Sequence, residues 1–202
     1  RSDWWGVTVV MVDLVVDPVG SQQPDIIVLG HATSSSLGPL SVVLDTWRDT
    51  LREWHASGTC LLGVGLGGDA LGQSLTLDAT SPIYEGVGIT PVVTMLSGTR
   101  FSGEVVGHDP QGRTVAGYLN DQATRRGSAV TGFITVDHPA GSTWTGYTGS
   151  HSDGVVAPGV WVTTLSGPVC ALNPFLADDI LAACWAARDW SLPEPTPQHL
   201  EA

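Results

Sequence analysis

The chain alternates between dense apolar runs and glycine-rich polar turns, and the spacing inside each run predicts its element. Residues 7–16, VTVVMVDLVV, are β-branched and almost wholly apolar, as in a strand buried on both faces of a parallel sheet. A turn, DPVGSQQP, leads to a second strand, DIIVLG, ending at Gly30, and residues 31–39 (HATSSSLGP) read as a polar loop. Leu40, Val43, Leu44, Trp47, Leu51 and Trp54 recur at spacings of three and four, which predicts an amphipathic helix capped by Gly58. Cys60–Val64 is a third strand, followed by a glycine turn and a short helix to about Leu75. From Tyr84 onward, short β-prone runs (VGITPVVTML, RFSGEVVGH, RTVAGYL, AVTGFITV, STWTGYTG, GVWVTTL) alternate with Gly, Pro, Asp and Ser turns, which predicts an antiparallel or mixed extension. A last helix is expected from Asn173-Pro174, with Asn173 as N-cap, Pro174 in the first turn, and Asp178 and Asp179 near its positive end.

Strand, loop, helix, strand, turn, helix is the alternation of an α/β domain with a mostly parallel sheet flanked by helices. We expect one domain over 1–190 and a flexible Pro-rich tail, SLPEPTPQHLEA, over 191–202. No uninterrupted apolar run approaches the roughly 20 residues of a membrane span, and the opening RSDWWG lacks signal-peptide character. The expected location is the cytoplasm.

Charge narrows the function classes. The net charge is −12, carried against eight Arg and no Lys. A nucleic-acid binder needs a basic face, and the one adjacent basic pair, Arg125-Arg126, sits in a Gly/Ser-rich stretch that reads as ordinary surface. Cys60, Cys170 and Cys184 show no metal-ligand spacing, and Cys60 and Cys184 lie in apolar runs where a cysteine behaves as a small hydrophobe. No metal or other cofactor is expected.

The glycine run CLLGVGLGGDALGQ at 60–73 admits two chemistries. Gly63, Gly65 and Gly68 satisfy G-x-G-x-x-G on a strand-to-helix turn, with Glu85 near the distance of a ribose-binding acid, as in a dinucleotide-binding oxidoreductase. Against that, the turn follows the third strand, not the first. A phosphate loop would need a lysine. The other chemistry is a nucleophile elbow, a strained strand-turn-helix that presents a Ser or Cys.

For the elbow, the flanks carry a resemblance. GTCLLGVGLGGDALG resembles the elbow of class I glutamine amidotransferases, in the branch of cobyric acid synthase and the amidotransferase subunit of lipid II isoglutaminyl synthase. DIIVLGHATSSS is similar to that family's oxyanion-loop strand through Gly30. TRFSGEVV resembles its R-x-x-G-E strand, with Arg100 as the arginine that helps hold glutamine. VAGYLND resembles its G-F-E-N-H segment through Gly117, Tyr118 and Asn120, and GVWVTTLSGPVCALNPFLADDIL its histidine loop and last helix. The likeness covers about residues 1 to 185 and implies a flavodoxin-like amidotransferase fold. RSDWWG resembles the end of the family's first helix, which implies a strand and most of a helix upstream of Arg1.

The same resemblance places Gly65 where the family has its nucleophilic cysteine, Ser166 in place of the catalytic histidine, and Asp69 in place of a glutamine. Such enzymes attack the amide with a thiolate and protonate ammonia with the histidine. Without both, the resemblance implies a pseudo-enzyme that scaffolds or regulates a Mur-ligase-like partner in peptidoglycan precursor amidation or a related amidation. Residual glutamine or carboxylate binding would fall to Arg100, Gly30, His31, Asp69 and Asn120. The alternative is an active enzyme with relocated residues, such as Cys170 with His31. An H-x-D pair at His151 and Asp153 lacks further metal ligands. Trp4, Trp5, Trp144, Trp161, Trp185 and Trp190 are more than a core of this size needs; most of them read as core, and the excess favours an interaction surface, since aromatics anchor interfaces.

Overall fold

A computed structural model describes residues 8–13, 22–128, 130–137 and 151–191. The nucleus is a four-stranded sheet formed by β1 (Ile26–Leu29), β2 (Cys60–Val64), β11 (Val155–Ala157) and β12 (Val160–Thr163), in the order β1-β2-β12-β11. β1, β2 and β12 run parallel, while β11 returns antiparallel beside β12. β2 is buried on both faces, as its unbroken apolar sequence predicts. Leu61 joins a core with Leu44, Trp47 and Leu51 of α1 (Leu37–Ala56). Cys60 and Leu62 face the opposite layer, where Leu176, Ile180 and Cys184 of α4 (Pro174–Ala187) pack. Gly58, at φ +97, stops the chain's helical course after α1 in the left-handed conformation that glycine adopts freely.

Two further sheets lean on this nucleus. One is antiparallel in the order β10-β9-β6-β7-β13, built on the long hairpin of β6 (Phe101–His108) and β7 (Thr114–Asp121). It is completed by β9 (Ile134–Val136), β10 (Ser152–Asp153) and β13 (Leu165–Ser166). The other, mixed, runs β4-β3-β5-β8, from β3 (Ser74–Thr76), β4 (Ile83–Glu85), β5 (Val92–Met95) and β8 (Thr124–Gly127). The α/β class stands, but among the described residues parallel pairing is confined to β1-β2-β12 and β3-β5, and every other strand pair is antiparallel.

Several expectations are corrected. Residues 8–13 form no strand and are exposed, with Met11 at 90%. The helix after the glycine turn, α2, ends at Ala70, and Ser74–Thr76 is extended because Leu75 inserts fully buried between β4 and β5. Asn173 does not cap α4 with its side chain. Its amide instead donates to the Ala116 and Val169 carbonyls and accepts from Ala116 N–H, tying a short helix α3 (Val169–Leu172) to β7. The predicted run STWTGYTG, the tail at 192–202, and Trp4, Trp5 and Trp144 lie outside the described residues. Among the described residues, no helix is long and apolar enough to cross a membrane.

Candidate functional site

The site is built where β2 ends. After Val64 the chain turns sharply at Gly65, with φ +55 and ψ −127, and enters the five-residue helix α2 (Leu66–Ala70). Side-chain-bearing residues pay about 1–3 kcal/mol for such sparsely populated backbone, whereas glycine takes it freely. Gly65 N–H donates to the Thr163 carbonyl at 2.8 Å, locking the turn to the end of β12. Gly67 is required by close approach: a Cβ there would overlap the carbonyls of Leu29 and Gly30. The turn is therefore pressed between the C-terminal ends of β1 and β12.

His31, in the loop after β1, lies over this apex. A Cβ built on Gly65 would overlap the His31 imidazole at Nδ1, so the ring stands where a side chain at position 65 would emerge. His31 and Gly30 are both exposed, and Gly30 has open space around it.

Asp69 points the other way. It is 2% exposed, and its carboxylate accepts Arg125 Nε at 2.6 Å, Arg125 Nη2 at 2.9 Å and Thr94 Oγ1 at 2.9 Å. Arg125 also donates to Asp121 Oδ2 at 2.7 Å through Nη1. A bidentate Arg–carboxylate fork of this kind is geometrically specific, and it wires α2 to β5 and β8. Asp69 is thus occupied structurally and is withdrawn from the candidate ligand set. Arg125, expected on the surface, is 5% exposed. The fully apolar-flanked Asp69 was the one sequence signal that a buried partner cation had to exist.

Arg100 and Asn120 do come together. Arg100 Nε and Nη2 donate to Asn120 Oδ1 at 2.9 and 2.7 Å across the β6–β7 pairing, on an exposed face. Among the described residues Arg100 makes no ion pair. Along the same face, Tyr118 exchanges a hydrogen bond with Ser102 at 2.8 Å, and Ser166 Oγ donates to the Tyr118 carbonyl at 3.0 Å. Ser166 pairs with Tyr118 in register and lies three residues beyond Thr163, whose carbonyl holds Gly65. Arg100, Asn120, Ser102, Tyr118 and Ser166 thus form one polar strip on the sheet that adjoins the elbow.

Beneath the β12–β13 junction, Asp153 is 0% exposed. Burial pushes its carboxyl above the ordinary carboxylate range, although the Thr163 and Thr164 hydroxyls and Thr164 N–H all donate to it. Its oxygens are committed to that strand junction and not to a metal. Cys170 lies on α3, half-buried, and burial raises its thiol. The dinucleotide reading meets a helix of only five residues after the turn, and Glu85 stands 3.6 Å from Arg48 in an ion pair. A cavity of about 340 Å³ lies elsewhere, between the β6–β7 turn and α4, bordered by Asp109, Arg113, Trp161 and Leu176; none of the expected site residues lines it.

No protein-family model matches the sequence, and no curated protein is significantly similar to it. The fold does match a solved structure described as a glutamine amidotransferase, with a TM-score of 0.56 at 14% identity, over 79% of each chain. At that identity the likeness concerns the fold. The chain has an amidotransferase-like α/β fold, with Gly65 at the apex of its strand-turn-helix.

Proposed function

We propose that this chain is an amidotransferase-like subunit without glutaminase chemistry of its own. The observation that carries the reading is the apex: Gly65 offers no nucleophile, and the His31 ring lies over the place where one would project. Ser166, at the position the resemblance gives to the catalytic histidine, cannot act as a base near neutral pH, and its hydroxyl is donated to a backbone carbonyl. Losing one member of a nucleophile–base unit removes several orders of magnitude of rate, and losing both leaves little beyond binding.

On this reading the fold acts through what it binds. The flanking motifs resemble the isoglutaminyl synthase branch, so the partner is a Mur-ligase-like subunit, which this chain scaffolds or regulates in amidation of a cell-wall precursor or a related substrate. The test is ammonia release from glutamine by the purified chain, alone and with such a ligase. No release above background is expected in either case. Sustained release that disappears in Cys170→Ala would overturn the reading in favour of relocated residues.

A further inference from the structure

The mixed sheet β4-β3-β5-β8 has two faces of different character. Tyr84, Leu75, Thr94 and Arg125 stand in register as one row across it, and this row faces the core and carries the Arg125–Asp69 fork. Side chains alternate along a strand, so the rows on either side face outward. One is Glu85, Ser74, Val93 and Arg126; the other is Ile83, Thr76, Met95 and Thr124. Burial follows the alternation: Leu75, Thr94 and Arg125 are buried, whereas Ile83 is 75% and Val93 42% exposed. We propose that this outer face is a homodimer surface, on which a second copy of the chain packs about a two-fold axis parallel to the strands.

Three features support it. First, a sheet with one face on the core ordinarily turns polar side chains to water. Here Ile83, Thr76 and Met95 are neighbours in one row, and Val93 precedes Met95 on the same face of β5, so the apolar positions are contiguous and not scattered singly. Second, the two charges on the face are complementary to each other. Glu85 on β4 and Arg126 on β8 end the same row at opposite edges of the sheet, about 14 Å apart at ordinary strand spacing. The two-fold axis lays β4 of one copy over β8 of the other. Each Glu85 then meets an Arg126 of the second copy, and both pairs form together, as a self-complementary contact requires. Both groups are available: the Glu85 side chain is 81% exposed although it lies 3.6 Å from Arg48, and Arg126 makes no ion pair among the described residues. Third, with 20 acidic against eight basic residues, two copies repel each other through their overall charge. The outer rows carry one carboxylate and one guanidinium, so this face is neutral and opposes no like charges.

The size of the face sets the strength of the dimer. Four strands of three or four residues span roughly 15 Å by 10 Å. That is well below the ~800 Å² per partner of a standard interface, so association is reversible and concentration-dependent. Rigidity favours it, because Arg125 ties β8 to α2 from the inner side and the outer rows need little ordering on contact. The inner row braces the elbow and the outer rows face the second copy, so the dimer sets two elbows back to back through the sheets that hold them.

The test is sedimentation velocity on the full chain from micromolar to near-millimolar concentration. The average mass should climb from the 21.1 kDa of one chain towards twice that value. Glu85→Arg and Arg126→Glu each set like charges against one another at both ends of the row, and each should remain monomeric throughout the range. Mixed in equal amounts, the two variants regain both opposite-charge pairs in a heterodimer, and association should return. A wild type that stays monomeric at every concentration overturns the proposal. A dimer that survives both charge reversals, or a mixture of the variants that fails to associate, overturns it as well. Arg126→Glu alters an exposed residue outside any ion pair among the described residues, so its loss or retention of the dimer decides the matter even if Glu85→Arg, beside Arg48, does not fold.

Discussion

The two sides of the elbow are built on opposite principles. Behind α2, every polar group is spent: Asp69, Asp121, Thr94 and Arg125 form one buried cluster with the guanidinium forked between two carboxylates. In front, the polar groups are exposed and loosely committed: His31 over a bare Gly65, and Arg100 resting on a neutral Asn120. Two arginines mark the contrast. Arg125 holds the elbow in place and is closed to ligands. Arg100 is exposed and donates to the neutral Asn120. The turn is thus held firmly from behind, while its apex residue, Gly65, brings no side chain to the front.

The largest effect should come from the rear. Arg125→Met leaves Asp69 and Asp121 buried without a cation, and breaking a buried pair in this way costs about 3–5 kcal/mol. In a chain of this size that is roughly 10 °C in thermal midpoint. Asp69→Asn, which keeps the shape and one acceptor oxygen, should cost less. If both variants melt with the wild type, the cluster does not hold the elbow and the contrast collapses.

Next comes the apex. Gly65→Cys forces a side chain into the φ +55 turn and against His31, and should cost about 1–3 kcal/mol in denaturant unfolding. It should release no ammonia from glutamine, because Ser166 supplies no base. Adding His31→Ala should recover the part of the loss due to ring overlap but not the backbone strain. A Gly65→Cys chain as stable as wild type would mean the apex is not strained at all.

Asp153 gives a prediction with a pH sign. Its folded carboxyl titrates above its unfolded value, so the folded state holds the extra proton and stability falls as pH rises from the ordinary carboxylate range to the raised one. Asp153→Asn removes that slope. Relative to the variant, wild type should therefore be more stable near pH 4 than near pH 7, a comparison in which the other carboxylates cancel. Parallel curves from pH 4 to 7.5 would show that Asp153 ionises in the fold without penalty.

What the sequence disclosed follows from which forces are local. α1, β1, β2 and the start of α4 were legible because periodicity, Gly58 and Pro174 act within a few residues. The glycine turn was legible as an elbow because Gly65 and Gly67 answer backbone constraints. Arg125 was misread because its burial depends on Asp69 and Asp121 meeting it, and TRRG has no apolar run to announce β8. Residues 8–13 of the predicted first strand were misread for the converse reason: an apolar run predicts burial only when a neighbouring layer covers it, and these six residues are exposed. Asn173 had the right residue type for a cap, yet the β7 backbone offered its amide two hydrogen bonds and the Val169 carbonyl a third.

The smallest stability effect, and the sharpest test of the open side, belongs to Arg100. Its guanidinium is exposed and bonded to one amide oxygen, and surface substitutions away from special features stay within about 0.5 kcal/mol. Arg100→Ala should therefore unfold with wild type, in contrast to Arg125→Met. If the strip of Arg100, Asn120, Tyr118 and Ser166 retains a carboxylate ligand, glutamine should raise the thermal midpoint of wild type and leave Arg100→Ala unmoved. Asn120→Ala separates the roles further, since it frees the guanidinium without removing the charge and should preserve some of the shift. A glutamine shift that survives Arg100→Ala would place the ligand elsewhere. No shift in wild type would mean that this strip does not hold glutamine.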